Sequence, residues 1–169
     1  MKKIVLLCGV GAVGKTKTLK KFFGENLDKK LRPLQLLQRA INGTIIYAVS
    51  LASPQEMSDF YDVENVRAII RNKIKKCDFA SGGKHYTLVI PFGLFGAQSG
   101  NLNEKCIYKP IEWLQNLGFM VNIIYLRKKT ARRLVLIDSF MRTLTSNVIE
   151  STEEYERQAR EFESFIERF

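Results

Sequence analysis

The pattern of apolar and polar positions divides the chain into short apolar runs, each followed by a segment with helical spacing. Four runs are predicted to be strands, at residues 2–8, 44–51, 86–92 and 119–126. Continuous apolar runs of this length that end in turn residues are typical of strands buried inside a parallel sheet. Glycine-rich stretches follow the first and the third of these runs, as expected for turns or loops.

The segments between these runs have the 3.6-residue period of helices. Helices are predicted at 15–23, from Arg32-Pro33 to Ile41, at 63–77, from Pro110 to Gly118, from 134 to 144 and at 155–169. Capping-box patterns at 53–56 and 151–154 predict the start of a short helix and of the last helix. On helix 63–77 the basic residues are expected mostly on the outer face.

Strands that alternate with helices predict an α/β fold. We expect three layers, α/β/α, around a mainly parallel sheet of four or five strands. No linker or internal repeat interrupts the pattern, so residues 1–169 are predicted to form a single domain.

The most specific motif is GVGAVGKT at residues 9–16, directly behind the first apolar run. It matches G-x-x-x-x-G-K-[ST], the loop whose backbone N–H groups hold phosphates at the start of a helix. The chemistry assigns a task to each position. Lys15 would reach the β- and γ-phosphates, and the Thr16 hydroxyl would bind Mg²⁺. The predicted nucleotide-binding residues are Gly9, Gly11, Ala12, Val13, Gly14, Lys15, Thr16 and Lys17.

This motif in its strand–loop–helix setting resembles the P-loop NTPases, and among them the small nucleoside and nucleotide kinase-like group. The chain has no N-K-x-D guanine motif and no LSGGQ-like stretch, which disfavours a GTPase or an ABC-type ATPase. The resemblance implies a P-loop NTPase-type fold, with ATP or another NTP and Mg²⁺ as cofactors. It leaves ATP and GTP as alternatives.

Kinases of this group use arginines from a lid, and the segment RKKTARR at 127–133 stands where such a lid would begin. The resemblance therefore implies that Arg127, Arg132 and Arg133 assist Lys15 by clamping phosphates during transfer. A solvated basic surface is the alternative for the same segment.

One feature departs from the family pattern. The third strand of such proteins often ends in an acid that serves Mg²⁺ or acts as a base, but here it reads LVIPFG, with Pro91 at that place. Either Thr16, phosphates and water hold the metal alone, or an acid comes from elsewhere. The nearest candidates are Glu56, Asp59 and Asp62, of which Glu56 also fits a capping role.

Charge and cysteine content narrow the choice of partners. The net charge is +10, while residues 150–169 contain seven acids and three bases. The basic remainder favours anions: a nucleotide, a small-molecule or nucleotide acceptor, or nucleic acid. The acidic last helix makes a homodimer another alternative. Three scattered cysteines and the lack of a long apolar run predict a cytoplasmic protein without a membrane partner.

Two functions remain after this reading. One is a small phosphotransferase that moves the γ-phosphoryl group of Mg·ATP to a small molecule or nucleotide. The other is a regulatory or nucleic-acid-associated NTPase without kinase activity, which the missing acid favours.

Overall fold

A six-stranded sheet forms the centre of the computed structural model, which describes residues 1–11, 13–54, 62–95, 102–144 and 146–169. The strands are β1 (Lys3–Gly9), β2 (Leu36–Ile41), β3 (Thr44–Val49), β4 (Tyr86–Gly93), β5 (Met120–Arg127) and β6 (Asn147–Glu150). The helices in these residues are α1 (Lys15–Phe22), α2 (Val63–Ser81), α3 (Lys105–Asn116), α4 (Leu134–Thr143) and α5 (Tyr155–Arg168). The predicted α/β class is confirmed.

The strand order is β2-β3-β4-β1-β5-β6. All neighbouring pairs are parallel except β2 with β3. Strand β1 lies between β4 and β5, with Gly9 paired in register with Gly93. Because β1 is central, the loop that follows it leaves the sheet at the edge where the carboxyl ends of five parallel strands meet. Ligands of open α/β sheets bind at this edge.

Helices cover both faces of the sheet, because alternate side chains of the central strand point to opposite sides. Ile4, Leu6 and Cys8 of β1 share one core with α2, α3 and α4. Val5 and Leu7 share the other core with α1 and α5. Within the described residues, no helix is both long and apolar enough to cross a membrane.

The predicted helix from Arg32-Pro33 to Ile41 is wrong, because β2 occupies residues 36–41. Strands β2 and β3 form a hairpin around Asn42 and Gly43, whose φ angles are 49° and 78°. Two positive φ angles are what a two-residue type I′ turn requires, and Asn-Gly is its preferred sequence. Leu37 and Ile41 face the core, and Arg39 between them lies against the Phe22 ring at 4.8 Å.

The sheet has six strands, one more than the expected maximum of five. Besides β2, the strand that was not predicted is β6. Its four residues pair with β5 from Asn147 to Glu150. This run is too short for its pattern to stand out from a loop, and its pairing with β5 makes it a strand.

One predicted helix start and one predicted helix cap are also wrong. Helix α3 begins at Lys105, so Pro110 lies inside it, and Ile107 continues the buried stripe of Ile111 and Leu114. At 151–154 there is no capping box: helix α5 begins at Tyr155 without a side-chain cap. The proposed helix start at 53–56 falls largely in 55–61, outside the described residues.

Candidate functional site

The glycine-rich loop links the end of β1 to the start of α1. Helix α1 begins at Lys15, with no acidic residue in its first turn and no side-chain cap. Gly14 is its N-cap residue, with φ 91°, a backbone conformation that favours glycine. The N–H groups of the first turn have no partner within the helix, and the positive end of the helix dipole lies at this loop.

Two of the loop glycines are closely packed. A Cβ at Gly9 would lie 2.7 Å from Val13 Cγ1, and one at Gly14 would lie 2.6 Å from Tyr155 Cε1. A Cβ at Gly11, by contrast, would meet nothing within 4 Å. The first and last glycines are thus required by packing, while Gly11 borders open space. Ala12 lies outside the described residues.

The Lys15 ammonium lies over its own loop. Its Nζ donates to the carbonyl oxygens of Gly9 and Val10, each at 2.9 Å, and the residue is only 9 % exposed. A lysine held there by neutral carbonyls can move a short distance to a phosphate, which would be a better partner for its charge.

Thr16 points towards the turn that follows β3, where its Oγ1 donates to the Leu51 carbonyl oxygen at 3.3 Å. The next residue, Lys17, is exposed, and its Nζ lies 5.1 Å from the centroid of the Tyr155 ring. Thr16 and Lys17 are therefore both at the mouth of the loop.

The segment between β6 and α5 forms one wall of the loop, which the sequence did not reveal. Ser151 Oγ donates to the Val13 carbonyl oxygen at 2.9 Å. Behind it, the buried Gln158 donates to Thr18 Oγ1 at 2.8 Å. Ser151 was predicted to cap a helix; it holds the loop instead. These contacts join residues about 140 positions apart, so no local pattern could have predicted them.

Two cavities open on either side of Gly11. One, of about 330 Å³, is lined by Gly11, Val13, Gly14, Lys15, Thr16, Lys17 and Tyr155. The other, of about 380 Å³, is lined by Val10, Gly11, Phe95, Lys128, Thr130, Ala131, Arg132 and Arg133. The structure thus brings Arg132 and Arg133 to the glycine-rich loop, as the lid hypothesis expects. Phe95 is an addition that the sequence did not suggest.

Arg127 has a different setting from the other two arginines. Its guanidinium binds both oxygens of Asp138, at 3.0 to 3.1 Å, and contacts Glu150 at 3.2 Å. Asp138 also accepts the Tyr125 hydroxyl at 3.0 Å. Two carboxylates therefore already hold this guanidinium, and Arg127 fastens β5 to α4 and β6 instead of facing the cavity beside Gly11.

This network makes stability depend on pH. Burial raises the pKa of Asp138, but the hydrogen bonds from Arg127 and Tyr125 and the nearby arginine charges outweigh it, so the pKa is lowered. A lowered carboxyl pKa stabilises the fold above the unfolded-state value of 3.8. We expect Asp138→Asn to reduce the free energy of unfolding by about 1 kcal/mol at pH 7.

The difference in the free energy of unfolding between the wild type and Asp138→Asn should stay constant down to about pH 5. It should then shrink as the pH falls through 3.8 and below, towards the lower folded-state pKa, because wild-type Asp138 becomes protonated. Urea unfolding at several pH values measures this difference, with Glu167→Gln, a change at an exposed carboxylate of α5, as control. A difference that does not change between pH 7 and pH 3 would contradict this assignment.

The described part of the chain supplies no acid at the end of β4, where Pro91, Phe92 and Gly93 end the strand. Asp62 is engaged as the N-cap of α2, accepting the Asn65 N–H at 2.8 Å. Glu56 and Asp59 lie outside the described residues. Among the described residues no group of three or more His, Cys, Asp or Glu side chains could hold a metal ion.

Lys73 corrects a further expectation. It was predicted mostly on the outer face of α2, but only 1 % of it is exposed, and its ammonium reaches the turn after β3. The buried stripe of that helix, Val66, Ile70, Ile74 and Cys77, is as predicted. Lys73 is one of several basic residues on this helix, and nothing in the local sequence indicates that a set of carbonyls distant in the chain will bury it.

Comparison with known proteins adds evidence on the fold alone. No family model matches the sequence, and no curated protein is significantly similar to it. A de novo designed protein described as a PLOOP2X3_50 fold, solved by solution NMR, matches 99 % of this chain and 93 % of its own, with 13 % identity and a TM-score of 0.50. A second de novo designed protein matches 99 % of this chain and 91 % of its own, with 14 % identity and a TM-score of 0.47. The first likeness supports the α/β architecture.

Proposed function

We propose that this chain is a P-loop nucleotide-binding protein that binds Mg·ATP or another nucleoside triphosphate at residues 9–17. The observation that carries the proposal is the glycine-rich loop itself. It joins the central parallel strand to an uncapped helix, and Lys15 Nζ is held 2.9 Å from two carbonyl oxygens of that loop.

The electrostatics of the site favour a polyphosphate. The N–H groups at the start of α1 and the helix dipole concentrate positive potential over the loop, and Lys15 adds a full charge. Gly11 lines both cavities beside the loop, and a polyphosphate chain would lie along this part of the loop. Thr16 would supply one oxygen to Mg²⁺, with phosphates and water as the remaining ligands, which suits the preference of this ion.

The reaction that fits best is transfer of the γ-phosphoryl group to a small-molecule or nucleotide acceptor. Such transfer depends on positioning and charge neutralisation more than on covalent chemistry. Arg132 and Arg133 border the cavity beside Gly11 and are the proposed phosphate clamp. Arg127 would contribute only indirectly, by holding β5 to α4 and β6, because its guanidinium is already paired with Asp138 and Glu150.

A second candidate is a regulatory or nucleic-acid-associated NTPase without kinase activity. The end of β4 favours it, since the residues from Pro91 to Phe95 include no carboxylate to serve Mg²⁺ or to act as a base. In this alternative the basic residues around the loop would contact nucleic acid, and bound nucleotide would control that contact.

A transfer assay distinguishes the two candidates. Purified protein, Mg²⁺ and γ-labelled ATP or GTP are incubated with a panel of nucleosides, nucleotides, 5′-hydroxyl oligonucleotides and small metabolites. The kinase proposal predicts label on at least one acceptor, and loss of that label in a double variant of Arg132→Ala and Arg133→Ala. The matched control is Arg157→Ala with Arg160→Ala, which removes the same charge from α5.

Hydrolysis of ATP that rises with added nucleic acid, without any labelled acceptor, would favour the second candidate. Absence of binding of ATP and GTP by calorimetry, with Mg²⁺ present, would contradict both.

A further inference from the structure

The hydroxyl of Thr16 is oriented by a main-chain carbonyl. Thr16 Oγ1 donates its hydrogen to the Leu51 carbonyl oxygen at 3.3 Å. A hydroxyl that donates its one hydrogen keeps its oxygen lone pairs for another partner. The donated bond therefore determines the direction in which Thr16 can accept a metal ion.

The turn that carries Leu51 is held by Lys73. The Lys73 Nζ donates to the carbonyl oxygens of Val49 at 2.7 Å, Ala52 at 3.2 Å and Ser50 at 3.4 Å. These three residues surround Leu51 in the sequence. The ammonium is therefore bonded on both sides of the peptide group whose carbonyl oxygen accepts the Thr16 hydroxyl.

The same turn needs such support, because its backbone is strained. Ser50 has φ 55°, in the left-handed region that a non-glycine residue adopts only at an energetic cost. Its N–H donates to the Gln35 carbonyl oxygen at 2.9 Å, which ties the turn to the segment before β2. Burying an ammonium costs free energy unless it is well hydrogen-bonded. A buried lysine is therefore an unusual choice for a turn that has only a structural role.

We infer that Lys73 is a positioning residue for Mg²⁺. It acts through the Val49–Ala52 turn and the Leu51 carbonyl on the metal ligand Thr16. The inference rests on the proposed function, and it goes further by explaining how a site without a carboxylate at the end of β4 can orient its metal ligand. A neutral carbonyl, held in place by a buried lysine, takes over the orienting task. Groups that orient a metal ligand in this way affect metal affinity about 10- to 100-fold.

The experiment measures how much Mg²⁺ the protein needs to bind nucleotide. A fluorescent ATP analogue is titrated with the full chain in EDTA and at increasing Mg²⁺, for the wild type and Lys73→Met. We expect the Mg²⁺ concentration for half-maximal binding to rise about 10-fold or more in the variant. Binding in EDTA should change less than twofold. Lys75→Met is the matched control. It removes one positive charge from an exposed position of the same helix and should behave as wild type.

A double-mutant cycle tests the route through Thr16. Thr16→Ala alone should also raise the Mg²⁺ requirement, and Lys73→Met should add nothing in that background if the two act as one unit. Should Lys73→Met fail to fold, Lys73→Leu, which also removes the donor from the turn, serves in both experiments.

An unchanged Mg²⁺ requirement in a folded Lys73 variant, with only its thermal stability lowered, would overturn the inference and leave the proposed function intact. The inference would also be overturned if the effects of Lys73→Met and Thr16→Ala on the Mg²⁺ requirement were additive in the double variant. A wild-type protein that binds the analogue neither in EDTA nor in Mg²⁺ would overturn both proposals.

Discussion

Replacing Lys15 by alanine is expected to weaken the binding of ATP about 100-fold, or about 2.7 kcal/mol. The side chain would lose its charge-assisted bonds to phosphate, each worth about 1.5 to 3 kcal/mol. In the free protein its ammonium donates to the carbonyl oxygens of Gly9 and Val10, which are neutral and weaker partners than a phosphate. The change should therefore affect ligand binding far more than folding. Calorimetric titration with ATP in Mg²⁺ measures the affinity.

The matched control is Lys21→Ala, near the end of the same helix, where the ammonium makes a 3.2 Å exposed ion pair with Glu156. It removes the same charge at a distance from the loop, so the affinity should stay within about twofold, as expected for a surface ion pair. Equal losses in both variants would show a general charge effect, and an unchanged affinity in Lys15→Ala would contradict the assignment of the loop.

The second large effect is expected from Gly14→Ala. The new Cβ would stand 2.6 Å from Tyr155 Cε1, at a φ of 91° that alanine tolerates poorly. The left-handed backbone costs about 1–2 kcal/mol and the overlap about 1–3 kcal/mol. We expect the free energy of unfolding to fall by about 2–5 kcal/mol, and ATP binding to weaken because the loop and Tyr155 must move apart. Urea unfolding measures the first quantity.

Gly24 provides the control for the backbone contribution. It has a φ of 74°, but a Cβ there would meet nothing within 4 Å. Gly24→Ala should therefore cost only about 1–2 kcal/mol and leave ATP binding unchanged. Adding Tyr155→Ala to Gly14→Ala should recover part of the lost stability by removing the overlap. If Gly14→Ala costs no more than Gly24→Ala, the packing of Tyr155 on the loop is not as described.

Elements with a strong local pattern could be predicted from the sequence. Helix α2 has an uninterrupted stripe of buried residues and extends from Val63 to Ser81, against a predicted 63–77. Strands β1 and β4 are buried on both faces and read as continuous apolar runs. In each case the segment carries its own periodicity, and the tertiary structure preserves it.

The helix predicted from Arg32-Pro33 to Ile41 was wrong for a different reason. Leu34, Leu37 and Ile41 fit a helical spacing, but Leu37 and Ile41 also alternate around Arg39, whose guanidinium binds the Phe22 carbonyl oxygen at 2.7 Å. A charged residue in a core-facing position hides the two-residue period of a strand. The Asn42-Gly43 pair was the available sign of a hairpin, since this pair forms two-residue turns between strands.

The sequence by itself determined where we propose that a phosphate binds, because the glycines, Lys15 and Thr16 of that loop lie close together in the chain and their spacing carries the chemistry. It also determined the α/β class, through apolar runs that alternate with helical stripes. Only the tertiary structure decided what surrounds the loop: the wall of Ser151 and Tyr155, and the buried ammonium of Lys73 behind Leu51. Those contacts join segments that are far apart along the chain. They arise from packing and from the need to pair buried polar groups, which no local pattern records.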